Sequence, residues 1–204
     1  MTELLTPINS IAFSWKVFLP HINSYGFSHL LKTDEGCLLV DPLKGDREIF
    51  KEIESIGKPD GIVILNQHHW RDGEEFASYF KAPIFLSNKA PSELQSKANQ
   101  LIENGKELPG GFQALDIGQP TSSEMALIGW RTLVFGDCLV NIPSMGGVMI
   151  IPEQYAPQIN RLELKKTLKN LLVYQFETLL FGHGPAVQSG ALETLCQILE
   201  KNEN

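Results

Sequence analysis

Three of the five histidines stand where an apolar run ends. His68 and His69 follow the run at 61–65, and His183 follows 178–181 between Gly182 and Gly184. Asp137 follows the strand-like run at 132–135 and is preceded by Gly136. Polar residues at strand termini converge on one end of a sheet, where α/β enzymes gather ligands and catalytic groups. Imidazole plus carboxylate is a donor set for a borderline metal, Zn²⁺ first, with Fe or Mn as alternatives. His68, His69, Asp137 and His183 are therefore the candidate ligands. Adjacent histidines on an extended chain diverge, so only one of His68 and His69 belongs to the site. Flanking glycines leave Asp137 and His183 without a local capping or packing role, which favours the functional reading of both.

Arg71 and Asp72 close the same segment and are the candidate catalytic side chains. Arg71 would pair with Asp41 or Asp137 and supply guanidinium charge in place of metal charge. Asp72 has two readings: a metal ligand, or, with Glu75 three residues on, a capping box for the next helix, which alone accounts for it. His21 and His29 fit no ligand position and read as structural, with His21 alternatively lining a pocket; Glu124 has no assigned chemistry.

The elements that would carry these residues are strands at 11–19, 27–32 and 37–40, the last two joined by the turn Thr33-Asp34-Glu35-Gly36. A helix capped by Asp46 and ended by Gly57 buries Ile49, Phe50, Ile53 and Ile56. The wholly apolar run 61–65 reads as a central strand, and the helix after Asp72 buries Phe76, Tyr79 and Phe80. A strand at 84–86 leads to a helix predicted over 91–104 on the stripe Leu94, Ala98, Leu101 and Ile102. Strands follow at 112–117, 125–128 and 132–135, then an irregular Gly- and Pro-rich stretch at 141–157. A helix through Leu164, Leu168, Leu171 and Leu172, a strand at 178–181 and a last helix capped by Ser189 complete the chain. Strand blocks alternating with amphipathic helices in both halves predict two sheets sandwiched between helices.

With 204 residues, 43% hydrophobic and 20% charged, the chain reads as one globular domain over 1–204. Net charge is −7 with no basic stripe, which speaks against a nucleic-acid partner and leaves a small-molecule substrate. No apolar run is long enough to cross a bilayer, and Met1-Thr2-Glu3 does not open a signal peptide, so no membrane association is expected. Cys37, Cys138 and Cys196 read as reduced core thiols of a cytoplasmic protein.

Taken in order, these motifs resemble the metallo-β-lactamase-fold hydrolases, including the glyoxalase II-like branch. The stretch from Asn23 to Asp41 is similar to the family's opening strands and ends in the apolar-Asp-Pro turn Leu39-Val40-Asp41-Pro42. Gly136-Asp137 is similar to the motif supplying the metal-bridging aspartate, and Gly182-His183-Gly184 to that supplying the last histidine. The resemblance covers almost the whole chain and implies an α/β (α+β) four-layer αββα sandwich, with Asp41 a structural hydrogen-bonding residue.

The departures are as specific. The family's H-x-H-x-D-H signature is replaced by Asn66-Gln67-His68-His69-Trp70-Arg71-Asp72, which matches it in no register, and Gln119 stands where the family has a histidine in a Gly-His turn. A dinuclear site draws on about seven His and Asp ligands and places about four charges in one pocket. The residues left here imply at most one ion. The resemblance then implies a hydrolase that activates water against an ester-, thioester- or phosphoester-type bond. The rival expectation is a metal-free small-molecule binding or interaction module, in which Arg71, His68, His69 and Asp137 form a polar network.

Overall fold

A computed structural model describes residues 5–200; the expectation drawn from Met1-Thr2-Glu3 lies outside them. Seven strands form the first sheet in chain order: β1 (Thr6–Pro7), β2 (Ala12–Leu19), β3 (Ser24–Thr33), β4 (Gly36–Val40), β5 (Gly61–Ile64), β6 (Ile84–Ser87) and β7 (Gln100–Ile102). The first four are antiparallel neighbours, whereas β4, β5, β6 and β7 run parallel. Parallel neighbours need crossovers, supplied by α1 (Glu48–Ile56), α2 (Gly73–Phe80) and the single turn α3 (Ser92–Gln95).

The second sheet has the order β14-β11-β10-β9-β8, with β8 (Glu107–Leu108), β9 (Phe112–Asp116), β10 (Met125–Gly129), β11 (Thr132–Phe135) and β14 (Thr178–Phe181). β11 and β14 are parallel, and α4 (Arg161–Asn170) lies between them in sequence. A hairpin of β12 (Leu139–Ile142) and β13 (Gly147–Ile150) and the final helix α5 (Ala191–Glu200) complete the second half.

The two-residue period of each strand sorts its side chains into layers. From β4, Leu38 and Val40 join Val63 of β5, Leu127 of β10, Val134 of β11 and Leu180 of β14 between the sheets. The alternate residues Leu39, Ile62 and Ile64 pack under Ile49, Phe50 and Ile53 of α1 and Phe76 and Phe80 of α2. On the far side Leu133, Phe135, Leu179 and Phe181 pack against Leu164 and Leu168 of α4 and Leu195 and Ile198 of α5. The layers are α, β, β, α, as the sequence predicts.

Three expectations change. The helix predicted over 91–104 stops after one turn. Asn99 donates its N–H to the Ile84 carbonyl and its side chain accepts the Ile84 N–H, which draws the chain onto the edge of β6 as β7. The stretch 141–157 is not wholly irregular, since it contains β13. Tyr79 is 48% exposed rather than buried, because the α2 stripe against the sheet is filled by Phe76 and Phe80. Cys37 and Cys138 are buried free thiols, whereas Cys196 is only half-buried. Among the described residues no helix is long and apolar enough to cross a membrane.

Candidate metal centre

The polar residues lie where the two sheets come together at their strand ends. The chain leaving β5 turns at once into a single 3₁₀ turn, Gln67–His69, capped by Asn66, whose side-chain oxygen accepts the His68 N–H. The Leu65 carbonyl accepts the Met125 N–H at 2.8 Å, tying this turn to the start of β10. Beyond β14, the Gly182 carbonyl accepts the Phe27 N–H of β3, and Gly182 donates to the Phe135 carbonyl. The ends of β5, β11 and β14 are thereby held together.

His69, Asp137 and His183 converge at this junction, each offering one ligand atom within 4.8 Å of the others. His69 Nε2 lies 3.1 Å from Asp137 Oδ1, and His183 Nε2 lies 3.4 Å from the same oxygen. An ion about 2.0–2.1 Å from two tetrahedral ligands separates them by about 3.3 Å. Both imidazole-to-carboxylate distances therefore suit one transition-metal ion, and the donor set, two nitrogens and one oxygen, is the one Zn²⁺ accepts.

Each imidazole is aimed by a partner on its other nitrogen. His183 Nδ1 is 3.0 Å from the Tyr25 carbonyl, which can only accept, so Nδ1 bears the proton. Burial lowers the His183 pKa, despite the pull of Asp137, and leaves the Nε2 lone pair free toward the centre. His69 Nδ1 lies 2.6 Å from Asp41 Oδ2. Burial opposes charge on His69, but Asp137 and Asp41 outweigh it and push its pKa up to about 10. His69 is thus an imidazolium between two carboxylates until its Nε2 proton is displaced. Asp137 is also opposed by burial, yet His69, His183 and Arg71 hold it well below the usual carboxylate range.

Asp41 is the anchor expected of it. Its Oδ1 accepts the Leu65 N–H, its N–H donates to the Val63 carbonyl, and its own carbonyl accepts the Ser28 hydroxyl. The glycines next to Asp137 and His183 make room for contact. A Cβ on Gly136 would come within 2.8 Å of Glu124 Oε1, and one on Gly182 within 2.7 Å of the Gly136 carbonyl and 2.8 Å of His69 Cε1.

Of the residues singled out in the sequence, His69, Asp137 and His183 come together; His68 and Asp72 do not join them. The 3₁₀ turn rotates His68 out to solvent while His69 is fully buried. Asp72 stands just before α2, but its carboxylate makes no hydrogen bond to the helix. It accepts the Lys44 N–H at 2.8 Å instead, and Glu75 pairs with the Lys44 ammonium, so the capping box is not formed. Arg71 lies close to Asp41, Asp137 and Asp72, whose charges support a guanidinium that burial disfavours; its Nη1 has no hydrogen-bond partner among the described residues. Gln119 accepts the Asn160 N–H ahead of α4. His29 is structural: buried between the Ser14 hydroxyl and the Phe181 carbonyl, it is lowered by burial to about 4. His21 is exposed.

Two residues of the site were missed in the sequence. Asn66 donates from Nδ2 to Asp137 Oδ2 at 3.1 Å and to Glu124 Oε2 at 2.8 Å. Glu124 is fully buried; burial and the neighbouring Asp137 charge raise its pKa, while His69 and the Asp137 and Cys138 N–H groups favour its ionised form. The only signal for either was proximity to motif positions.

The family model described as Metallo-beta-lactamase superfamily matches residues 8–200. Among curated proteins none matches the sequence significantly. Among solved structures, the chain is similar to DIM-1 metallo-beta-lactamase, at 14% identity and a TM-score of 0.75, covering 98% of this chain and 99% of that one. It is similar to a metallo-beta-lactamase from Pontibacter korlensis at 14% identity and TM-score 0.72, covering 99% and 100%. An archaeal metallo-beta-lactamase superfamily protein from Sulfolobus tokodaii gives 17% identity and TM-score 0.63, covering 88% and 82%. At these identities the likeness is one of fold.

Proposed function

The chain belongs to the metallo-beta-lactamase superfamily, and from that membership and the site geometry we propose that it is a metal-dependent hydrolase holding a single ion. The observation that carries this reading is the convergence of His69 Nε2, His183 Nε2 and Asp137 Oδ1. A divalent ion in such a setting supplies Lewis acidity, which lowers the pKa of water and polarises a carbonyl or phosphoryl oxygen.

The chain's own residues prepare that chemistry. Asp41 and the Tyr25 carbonyl keep the protons on the Nδ1 atoms, so both Nε2 atoms face the centre. Asp137 supplies the charge that balances the cation. Its second oxygen is occupied by Asn66, the first residue of the segment that stands in place of the family signature. This supports a count of one ion: the oxygen that would reach a second ion already accepts an amide N–H. The substrate class is an ester-, thioester- or phosphoester-type bond.

A second reading rests on a different observation. Both ring nitrogens of His69 are already satisfied by carboxylates, and Arg71 adds a second cation nearby. This network can stand without metal, as a small-molecule binding module. Elemental analysis of the purified protein, followed by a panel of chromogenic esters, thioesters and phosphodiesters with and without added Zn²⁺ or Mn²⁺, separates the two. The hydrolase reading expects one equivalent of metal or less as purified, and turnover that is lost in His183→Ala. Two tightly held ions, or no uptake and no turnover, would sink it.

A further inference from the structure

We propose that Glu124 and Asn66 are positioning residues for Asp137, a bracket that fixes the aspartate so that only Oδ1 faces the two histidines. This inference rests on the metal-centre reading above. Glu124 precedes β10 and is fully buried, a costly place for a carboxylate unless each oxygen is used. Each is used. Oε1 accepts the N–H of Asp137 at 2.6 Å and of Cys138 at 2.9 Å. Oε2 accepts from Asn66 Nδ2 at 2.8 Å, and the same Nδ2 donates to Asp137 Oδ2 at 3.1 Å. Asn66 Oδ1 in turn accepts the His68 N–H, locking the amide to the 3₁₀ turn that carries His69.

The result is a closed ring of contacts through the ends of β5 and β11 and the start of β10. Glu124 holds the backbone of Asp137, and Asn66 holds the carboxylate plane. Gly136 leaves space for the carboxylate that a side chain would fill. The Asn66 amide satisfies the buried Oε2 and, because the same Nδ2 also donates to Asp137, sets which Asp137 oxygen is available. Partners that orient ligands in this way change metal affinity by about 10–100-fold when removed.

The test is titration of the metal-free full chain with Co²⁺, read by visible absorption, for wild type, Glu124→Gln and Asn66→Ala, alongside thermal melts. In Glu124→Gln the amide oxygen retains the two backbone bonds, while its NH₂ meets the Asn66 NH₂, donor against donor, and releases Asn66 from Asp137. The expected result is a ten- to hundredfold weaker Co²⁺ affinity and an altered visible band in both variants, with melting close to wild type for at least one. Wild-type affinity and spectrum in Glu124→Gln would overturn the inference while leaving the metal centre standing. Should Glu124→Gln fail to fold, Asn66→Ala decides, and unchanged affinity there overturns it equally. No Co²⁺ uptake by the wild type overturns both readings together.

Discussion

Asp41 Oδ2 and His69 Nδ1 lie 2.6 Å apart in a region where neither side chain is more than 2% exposed. The contact fixes the tautomer that His69 must adopt as a ligand, since the carboxylate can only accept. Asp41 reaches this position from a left-handed backbone, φ 48°, at the end of β4. Such a conformation costs a non-glycine residue on the order of 1–2 kcal/mol. The Val63 carbonyl and the Leu65 N–H hold it there. A strained residue braced by the central strand is what keeps the imidazole aimed.

Replacing Asp41 with Asn tests this relationship. The amide oxygen still accepts the Leu65 N–H, which turns the NH₂ toward His69 and demands that Nδ1 become the acceptor. The proton then moves to Nε2, the atom that faces the centre. Zn²⁺ affinity measured by calorimetry should fall by about 10–100-fold. Wild-type affinity in Asp41→Asn would reduce Asp41 to a purely structural residue.

Proton and metal compete at His69. Its pKa, pushed up to about 10 by Asp137 and Asp41 against burial, lies above the ordinary 6.5. In the metal-free state the imidazolium contributes stability that is fully present below 6.5 and is lost as pH rises through about 10. Metal uptake runs the opposite way, gaining as the proton becomes easier to displace. Calorimetric Zn²⁺ titrations near pH 7.5 in buffers of different ionisation enthalpy should show about one proton released per ion bound. Uptake without proton release would mean that His69 is not a ligand.

Gly182→Ala should injure site and fold together. The new methyl would lie 2.7 Å from the Gly136 carbonyl, which is backbone and cannot swing away, and 2.8 Å from His69 Cε1. Overpacking of this kind costs about 1–3 kcal/mol, readable in urea denaturation of the metal-free protein. Metal affinity should fall as well, because the ring is pushed from Asp137. A variant as stable as wild type would show that the two strand ends are not in the contact described.

Much of this fold could be read from apolar runs. The strands Thr132–Phe135 and Thr178–Phe181 agree residue for residue with expectation, since a β-branched threonine followed by three apolar residues and a glycine is a short run suited to a buried strand. The 91–104 segment failed because its stripe of Leu94, Ala98, Leu101 and Ile102 fits a helix as well as a turn followed by an edge strand. The choice was made by Asn99 pairing with Ile84, a contact 15 residues away in sequence. Glu124 was illegible for a similar reason: Ser122-Ser123-Glu124 has the composition of a solvated turn, and only the assembled sheets show its carboxylate enclosed. Asn66 carried no reading of its own within the altered segment, and its role shows only where its amide lies between two carboxylates.

Asp72 gives the sharpest remaining test, because its position and its contact point to different roles. It occupies the residue before α2, where a carboxylate ordinarily caps the helix, yet it accepts the Lys44 N–H from the segment between β4 and α1. Its stabilising effect is therefore that of a bridge between two loops. Asp72→Ala leaves that partly buried N–H without its acceptor and should cost about 1–3 kcal/mol. Asp72→Asn keeps an acceptor oxygen of the same reach and should recover most of the loss. Asp72→Ser, which suffices for a helix cap, has a hydroxyl on a shorter stem and should recover little. Urea denaturation of the three variants ranks them, with Asn above Ser and Ala expected. Zn²⁺ affinity should stay within a few-fold of wild type in all three, since Asp72 is outside the group of His69, Asp137 and His183. Full rescue by Ser would restore the capping role, and a joint loss of metal affinity would bring Asp72 into the centre.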